Sequence, residues 1–408
     1  MSTTPDALDF NPMVSPHRED PHLFYRAARG RPIAFSPTLG AFMVTRYEDL
    51  CTVIDDPATY SSSVAVPRFY DNPPEVVAEL ERGGVPDTTA VVNEDLPGHT
   101  HFRRVFDAGF TGSRVRAMMP TMRTRANELV DGFAAGRADL VGDYAIPFVQ
   151  TVISAIIGLP PEDTDRIQRW TDDVVTLWNP LAPVADRVES AKRLGDYTVY
   201  LQRIMDARRA EPREDLISDL VHGANGFPGL EDAHIQSIVR GAARVAGFDT
   251  TRDAITATML SILEDPEVHR RVREDPARTI PRVTEEVLRR DAPHRGLFRI
   301  TTRDTELGGT PLPAGTPLLL LFGSGNRDET VFPDPDAVDL DRPNVREHLA
   351  FGRGLHVCPG APMARAEIRV ALETLLRRLP GLRLADGYEP TYIASYFFRG
   401  LERLDVVW

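Results

Sequence analysis

One decapeptide gathers the residue types that could do chemistry: Phe351-Gly352-Arg353-Gly354-Leu355-His356-Val357-Cys358-Pro359-Gly360. Its glycines let the backbone take positive φ and approach a ligand closely, so a tight loop can offer a sulfur to a large flat cofactor while amides hydrogen-bond that sulfur. A helical pattern over Pro362 to Leu376 starts just beyond, and the partial positive charge at its N-terminus favours the thiolate form. A lone cysteine suits one axial bond to iron; zinc would ask for further Cys or His close by. The other cysteine, Cys51, falls on the apolar helical stripe of Tyr47, Leu50 and Ile54 and reads as a small buried hydrophobe.

A second set, Ala246-Gly247-Phe248-Asp249-Thr250-Thr251, lies midway along the longest helical pattern, which runs from Asp232 to Asp265 and is ended by Pro266. A hydroxyl beside a carboxylate can pass protons to a buried oxygen, and Ala246 and Gly247 leave room for dioxygen. Glycine and threonine also weaken a helix, so a local distortion is expected there. In Glu286-Val287-Leu288-Arg289 the charged ends are i, i+3 on one helical face and can pair. His99 and Arg103, in Asp95-Leu96-Pro97-Gly98-His99-Thr100-His101-Phe102-Arg103-Arg104, are i, i+4 and can reach one anionic group together. By 3.6-residue spacing Ala242, Ala243, Ala246 and Thr250 share a face and make a small-sided, roomy wall.

Every fixed position of the decapeptide matches FGxGxHxCxG, the heme-binding signature of the cytochrome P-450 family, and the chain resembles that family over essentially its whole length. The length and the lack of a flavin or iron–sulfur segment resemble the soluble bacterial members. The resemblance implies heme b as cofactor, Cys358 as its axial metal ligand, and Phe351, Ala246 and Gly247 against it. It implies Asp249 and Thr250 as the acid–alcohol pair that delivers protons. Glu286 and Arg289, with Arg342 from Asp339-Leu340-Asp341-Arg342-Pro343, resemble the structural Glu-Arg-Arg network that steadies the ligand loop. The segment holding His99 resembles DPPxHTxxR with Leu96 in place of one proline, so His99 and Arg103, with Arg299 and His356, are expected on the heme propionates. His294 to Phe298 and the turn Tyr396-Phe397-Phe398 are expected to complete a substrate pocket. Leu297, Phe298 and Phe397 would be its apolar walls, and His294 or Arg295 would hold a polar or anionic end of the substrate.

The activity so implied is that of a heme-thiolate monooxygenase. O2 binds opposite Cys358, two electrons and two protons arrive, and a C–H bond or heteroatom of a medium-sized, partly hydrophobic molecule is oxygenated, oxidative dealkylation included. Electrons would come from a ferredoxin-type donor with its reductase, docked on a basic patch at Arg104, Arg353 and Arg365. A peroxide-driven, rearranging or nitrating heme-thiolate enzyme would keep the same loop. A heme-thiolate sensor would need no proton relay, and the intact Asp249-Thr250 pair disfavours it.

The elements that must position these residues follow from the rest of the chain. The implied fold is mainly α, a triangular prism with one long central helix and a smaller β-rich region from the N-terminal hairpin and the C-terminal segments. Strand-like runs at Ile33 to Phe35, Phe42 to Val44 and Leu318 to Phe322, and a helix over Thr279 to Arg290, fit that plan. Ser61 to Val92 keeps no period, is broken by Pro67, Pro73, Pro74 and Pro86, and reads as a long loop serving as a lid. The 408 residues hold no Ser/Gly tract, charge block or low-complexity run, so one domain over 1–408 is expected, and 42% hydrophobic residues suffice for a large core. A net charge of −13 argues against nucleic acid as a partner. No window resembles the roughly 18 uncharged apolar residues of a membrane span, and the start lacks the basic and apolar regions of a signal peptide, so a cytoplasmic protein with no membrane partner is expected.

Overall fold

The long apolar stripe becomes one helical run in three parts. Asp232–Gly241 and Thr250–Glu264 are regular α-helix, and Ala242–Asp249 between them winds in wider π-type turns, the distortion that glycine and threonine foretold. The computed structural model describes residues 8–31, 33–88, 90–134, 136–179 and 181–408. These cluster into two compact units interleaved along the chain: Met1–Val64, Met122–Phe148 and Asp249–Trp408 form the first, Ala65–Thr121 and Val149–Phe248 the second.

The first unit holds every strand found among the described residues. Its five-stranded sheet runs Ala34–Ser36, Ala41–Val44, Pro317–Leu321, Gly296–Thr301, Tyr60–Ser61, with one parallel pairing, Ala41–Val44 on Pro317–Leu321. The central Pro317–Leu321 strand is apolar on both faces because both are covered. Leu318 and Leu320 join Val44, Leu50, Val53 and Ile54 on one side; Leu319 and Leu321 join Phe10, Phe24, Tyr25 and Met43 on the other. Helices Thr250–Glu264, Pro276–Arg290 and Ala361–Arg378 belong to the same unit. Two prolines at the starts of the last two sit in the first turn, where a missing N–H costs nothing.

The second unit is helical. Its core is built on the 27-residue helix Val184–Ala210, where Tyr197 stacks on Trp170 of Thr164–Trp178 with ring centroids 5.0 Å apart. Helix Pro74–Arg82 reaches Val184–Ala210 at a glycine pair: a Cβ on Gly83 would lie 2.8 Å from the Cα of Gly195. That helix corrects the reading of Ser61 to Val92 as an unbroken loop. Pro73 and Pro74 start it instead of breaking structure, and Val76 and Leu80, four apart and fully buried, anchor it.

The membrane expectation also needs adjusting. The helical stretch Leu140–Ile157, with mean hydropathy 1.6, is long and apolar enough to pass for a span by length and composition. It is 61% buried, as a core helix would be.

Candidate active site

The first unit builds the cysteine loop. Gly352 and Gly354 take φ of 66° and 64°, which other residues adopt only with strain, whereas Gly360 sits at −76° as N-cap of Ala361–Arg378. The Cys358 amide donates to the Phe351 carbonyl at 2.8 Å, closing the loop, and Ala361–Arg378 begins three residues past the sulfur. Cys358 is half-buried and forms no disulfide. Cys51 forms none either, packs beside the apolar cluster of Leu50 and Val53, and burial pushes its thiol up, so it stays protonated.

Glu286, Arg289 and Arg342 come together with side chains no more than 4% exposed. Arg289 Nε donates to one carboxylate oxygen at 2.6 Å and Arg342 Nε to the other at 2.5 Å. The remaining guanidinium N–H groups donate to the carbonyls of Asn326, Pro333, Asp334, Pro335 and Ala337. Burial pulls the Arg289 guanidinium down, against the nearby Glu286 charge. A buried carboxylate with two arginines and backbone carbonyls is fully satisfied, which is what makes such a cluster tolerable.

On the long helix, Asp249 is buried and its carboxylate lies 3.0 Å from Arg252, which also donates to Asp253 at 2.7 Å. Thr250 follows at the first regular turn. Sequence reasoning missed Arg252, though its i, i+3 spacing from Asp249 was legible. Along the wide turns Ala242 and Ala243 are buried in the second unit's core, while Ala246 is exposed. Gly247 packs so closely that an added Cβ would lie 2.4 Å from Ile153 Cδ1.

His99 and Arg103 lie on helix Gly98–Phe106. Burial and then the Arg103 charge lower the His99 pKa, which favours a neutral ring with one N–H. Arg103 Nε donates to Asp107 at 2.6 Å, so an anion would share it with that carboxylate. Arg299 is buried on strand Gly296–Thr301, and His356 lies in the turn Gly354–His356.

Three pocket expectations change. Successive residues of a strand face opposite ways, and Leu297 packs with the cluster of Val44 and Leu50 while Phe298 packs with that of Phe24 and Tyr25, so the two do not wall one space. Arg295 is 3% exposed, its Nε donating to the Phe398 carbonyl at 3.0 Å and its amide to that of Phe397 at 2.7 Å; it ties the strand to the C-terminal turn instead of reaching outward. His294 bridges Phe398 and faces the Phe397 and Phe398 rings, and burial lowers its pKa to about 4, so it would offer a neutral imidazole and not a cation. The proposed dock changes too: Arg353 pairs with Asp55 at 3.0 Å, and Arg365 binds Glu285 through both Nε and Nη2.

Among the described residues no three His, Cys, Asp or Glu gather as a metal cluster. A single thiolate from Cys358 suits an iron whose equatorial positions a macrocycle already fills. The loop and the mainly helical fold around it define a heme-thiolate protein. Comparison with known proteins carries this further. The sequence profile of the cytochrome P-450 family matches residues 183–380. The chain is 35% identical to mycinamicin IV hydroxylase/epoxidase of Micromonospora griseorubida over 90% of its own length and 89% of that protein's. It is 35% identical to nocardicin C N-oxygenase of Nocardia uniformis subsp. tsuyamanensis over 99% and 97%. The heme domain of a Tepidiphilus thermophilus cytochrome P-450 superposes with a TM-score of 0.90 at 31% identity, covering 98% of this chain and 96% of that one. The chain belongs to the cytochrome P-450 family. It is an oxidoreductase, a cytochrome P-450 monooxygenase, with heme b as its cofactor.

Proposed function

We propose that the chain, as one domain over 1–408, activates dioxygen and hydroxylates or oxidatively dealkylates a medium-sized, partly hydrophobic small molecule, with electrons from a separate ferredoxin-type donor and its reductase. The observation that carries this reading is Asp249, buried and paired with Arg252, directly before Thr250 where the wide turns end. Heme b, when bound, supplies the iron at which oxygen is reduced. Cys358 would hold that iron, and its loop would fix the direction of the thiolate. Thr250 would hold the proton at its hydroxyl, and Asp249, held in place by Arg252, would resupply one to Thr250. His99, Arg103, Arg299 and His356 would hold the propionates, and Phe351, Ala246 and Gly247 would lie against the macrocycle. Leu297 and Phe397 give apolar contacts to the substrate, and neutral His294 offers one hydrogen bond. Placement in the cytoplasm and the absence of nucleic-acid and membrane partners complete the reading.

The test compares product formed with O2, reductant and a ferredoxin system against product formed with peroxide alone. Mycinamicin IV and nocardicin C, named for the relatives, are the first two compounds to try, followed by a library screened for a Soret shift. Turnover that peroxide supports and O2 with reductant does not would refute the dioxygen reading.

A further inference from the structure

Two carboxylates stand side by side on helix Pro276–Arg290. Glu286 is the one its motif names, yet its arginines grip carbonyls between Asn326 and Ala337, all upstream of the cysteine loop. That network meets the approach to the loop at Asn326, whose Oδ1 accepts from the Leu349 amide at 2.6 Å. Glu285, which no motif names, touches both ends of the loop directly. Its Oε1 accepts from Arg365 Nε at 2.5 Å, and its Oε2 accepts from Arg365 Nη2 at 2.9 Å and meets His348 Nε2 at 3.2 Å. His348 enters the loop, and its Nδ1 accepts from the Ala350 amide at 3.2 Å; Arg365 leaves the loop in the helix Ala361–Arg378. Between them lies Phe351, its ring centroid 4.5 Å from the Arg365 guanidinium carbon and 6.0 Å from the His348 ring. The Phe351 carbonyl takes the Cys358 amide.

We propose that Glu285 is a positioning residue for the thiolate: by holding His348 before the loop and Arg365 after it, Glu285 fixes Phe351 and, through the Phe351 carbonyl, the place of Cys358. This rests on the heme-thiolate reading above. The geometry supports it in two ways. A bidentate arginine–carboxylate fork fixes direction as well as distance, and the Glu285 and His348 side chains are 7% and 2% exposed, which keeps water from the carboxylate, while Arg365 at 36% stays partly open to solvent. Burial pushes the Glu285 carboxyl up, and the hydrogen bonds from Arg365 and His348 with the Arg365 charge outweigh it, leaving it at about 2; it is ionised throughout the working range. Glu285 thereby also neutralises the guanidinium lying over Phe351. Without that charge the Arg365 cation over Phe351 would stand uncompensated at the loop, and a positive charge there would favour the reduced metal.

The experiment takes the heme-loaded protein and its Glu285→Gln and Arg365→Lys variants. Two quantities are read: the midpoint potential, and the rate at which the reduced carbon monoxide complex loses its red-shifted thiolate band under mild urea. Glu285→Gln is expected to raise the potential and speed the loss about tenfold or more. Arg365→Lys keeps the charge but not the fork, so it should hold a potential near wild type with an intermediate rate. A packing role alone would leave the potential unmoved. Wild-type potential and rate in Glu285→Gln overturn the proposal. Should that variant fail to take heme, Arg365→Lys and His348→Asn decide it, since both must lose the band faster and wild-type rates in both overturn it. A wild-type protein that never shows the thiolate band refutes the underlying reading instead.

Discussion

Gly247→Ala separates what the helix would gain from what the fold would lose. On helix propensity alone, alanine for glycine inside a helix stabilises by about 1 kcal/mol. The structure reverses the sign. The new Cβ would stand 2.4 Å from Ile153 Cδ1, 2.8 Å from Ile153 Cγ1 and 2.8 Å from the Ala242 carbonyl oxygen. The first two atoms can shift only within a buried cluster, and the third is backbone in the wide turn. Overpacking on this scale costs about 1–3 kcal/mol and more where backbone is met, so Gly247→Ala should be destabilised by roughly 1–2 kcal/mol net. The assay is urea unfolding followed by circular dichroism, run as a double-mutant cycle with Ile153→Ala. That single change should cost about 2–5 kcal/mol, because Ile153 is buried. The new methyl should then partly fill the space, giving a coupling of about 1–2 kcal/mol in favour of the double variant. Gly247→Ala as stable as wild type, or a coupling within about 0.5 kcal/mol of zero, would refute the reasoning. Gly247 would then owe its place only to the space it leaves beside the cofactor.

Three further outcomes are expected. Cys358→His should lose the strongly red-shifted Soret band of the reduced carbon monoxide complex while Cys51→Ser keeps it, and retention in Cys358→His would end the ligand assignment. Thr250→Ala should keep heme and consume reductant but divert much of it to peroxide, and Arg252→Gln, which frees the Asp249 carboxylate, should do so to a lesser degree; unchanged product per NAD(P)H in both removes the relay. Glu367, on helix Ala361–Arg378, is buried with its Oε2 lacking a hydrogen-bond partner, and burial raises its pKa well above the ordinary carboxyl value. A raised folded pKa means that its contribution is fully present below the unfolded value of about 4.3 and is lost as pH rises through the folded one. Glu367→Gln should therefore gain in Tm over wild type as pH goes from about 5 to about 8, and a difference that stays flat with pH would show the carboxyl is not neutral in the fold.

The residues legible in the sequence are those whose chemistry fixes both type and spacing. Cys358 needs its glycines, of which Gly352 and Gly354 do take positive φ, and Glu286 and Arg289 need only a helical turn between them. The distortion at Ala242–Asp249 was legible for the same reason, since glycine and threonine weaken a helix locally. What stayed hidden depends on partners far along the chain. Leu297, Phe298 and Ile300 break any two-residue alternation, so the strand Gly296–Thr301, and with it the opposite facing of Leu297 and Phe298, emerges only from its pairing with Pro317–Leu321. A run of prolines hid the helix Pro74–Arg82, because the same residue that ends a helix also begins one. Glu285 shows the limit most sharply. Its partners His348 and Arg365 stand 63 and 80 residues away, and no local spacing points to them. Adjacent residues on a helix point roughly 100° apart, so two identical side chains in sequence must serve different surroundings. Glu286 holds the segment from Asn326 to Ala337, and Glu285 holds the flanks of the cysteine loop. One helix thus fixes the support and the ligand loop through separate carboxylates, and the two sets of contacts meet at Asn326, whose carbonyl accepts from Arg289 and whose Oδ1 accepts from the Leu349 amide.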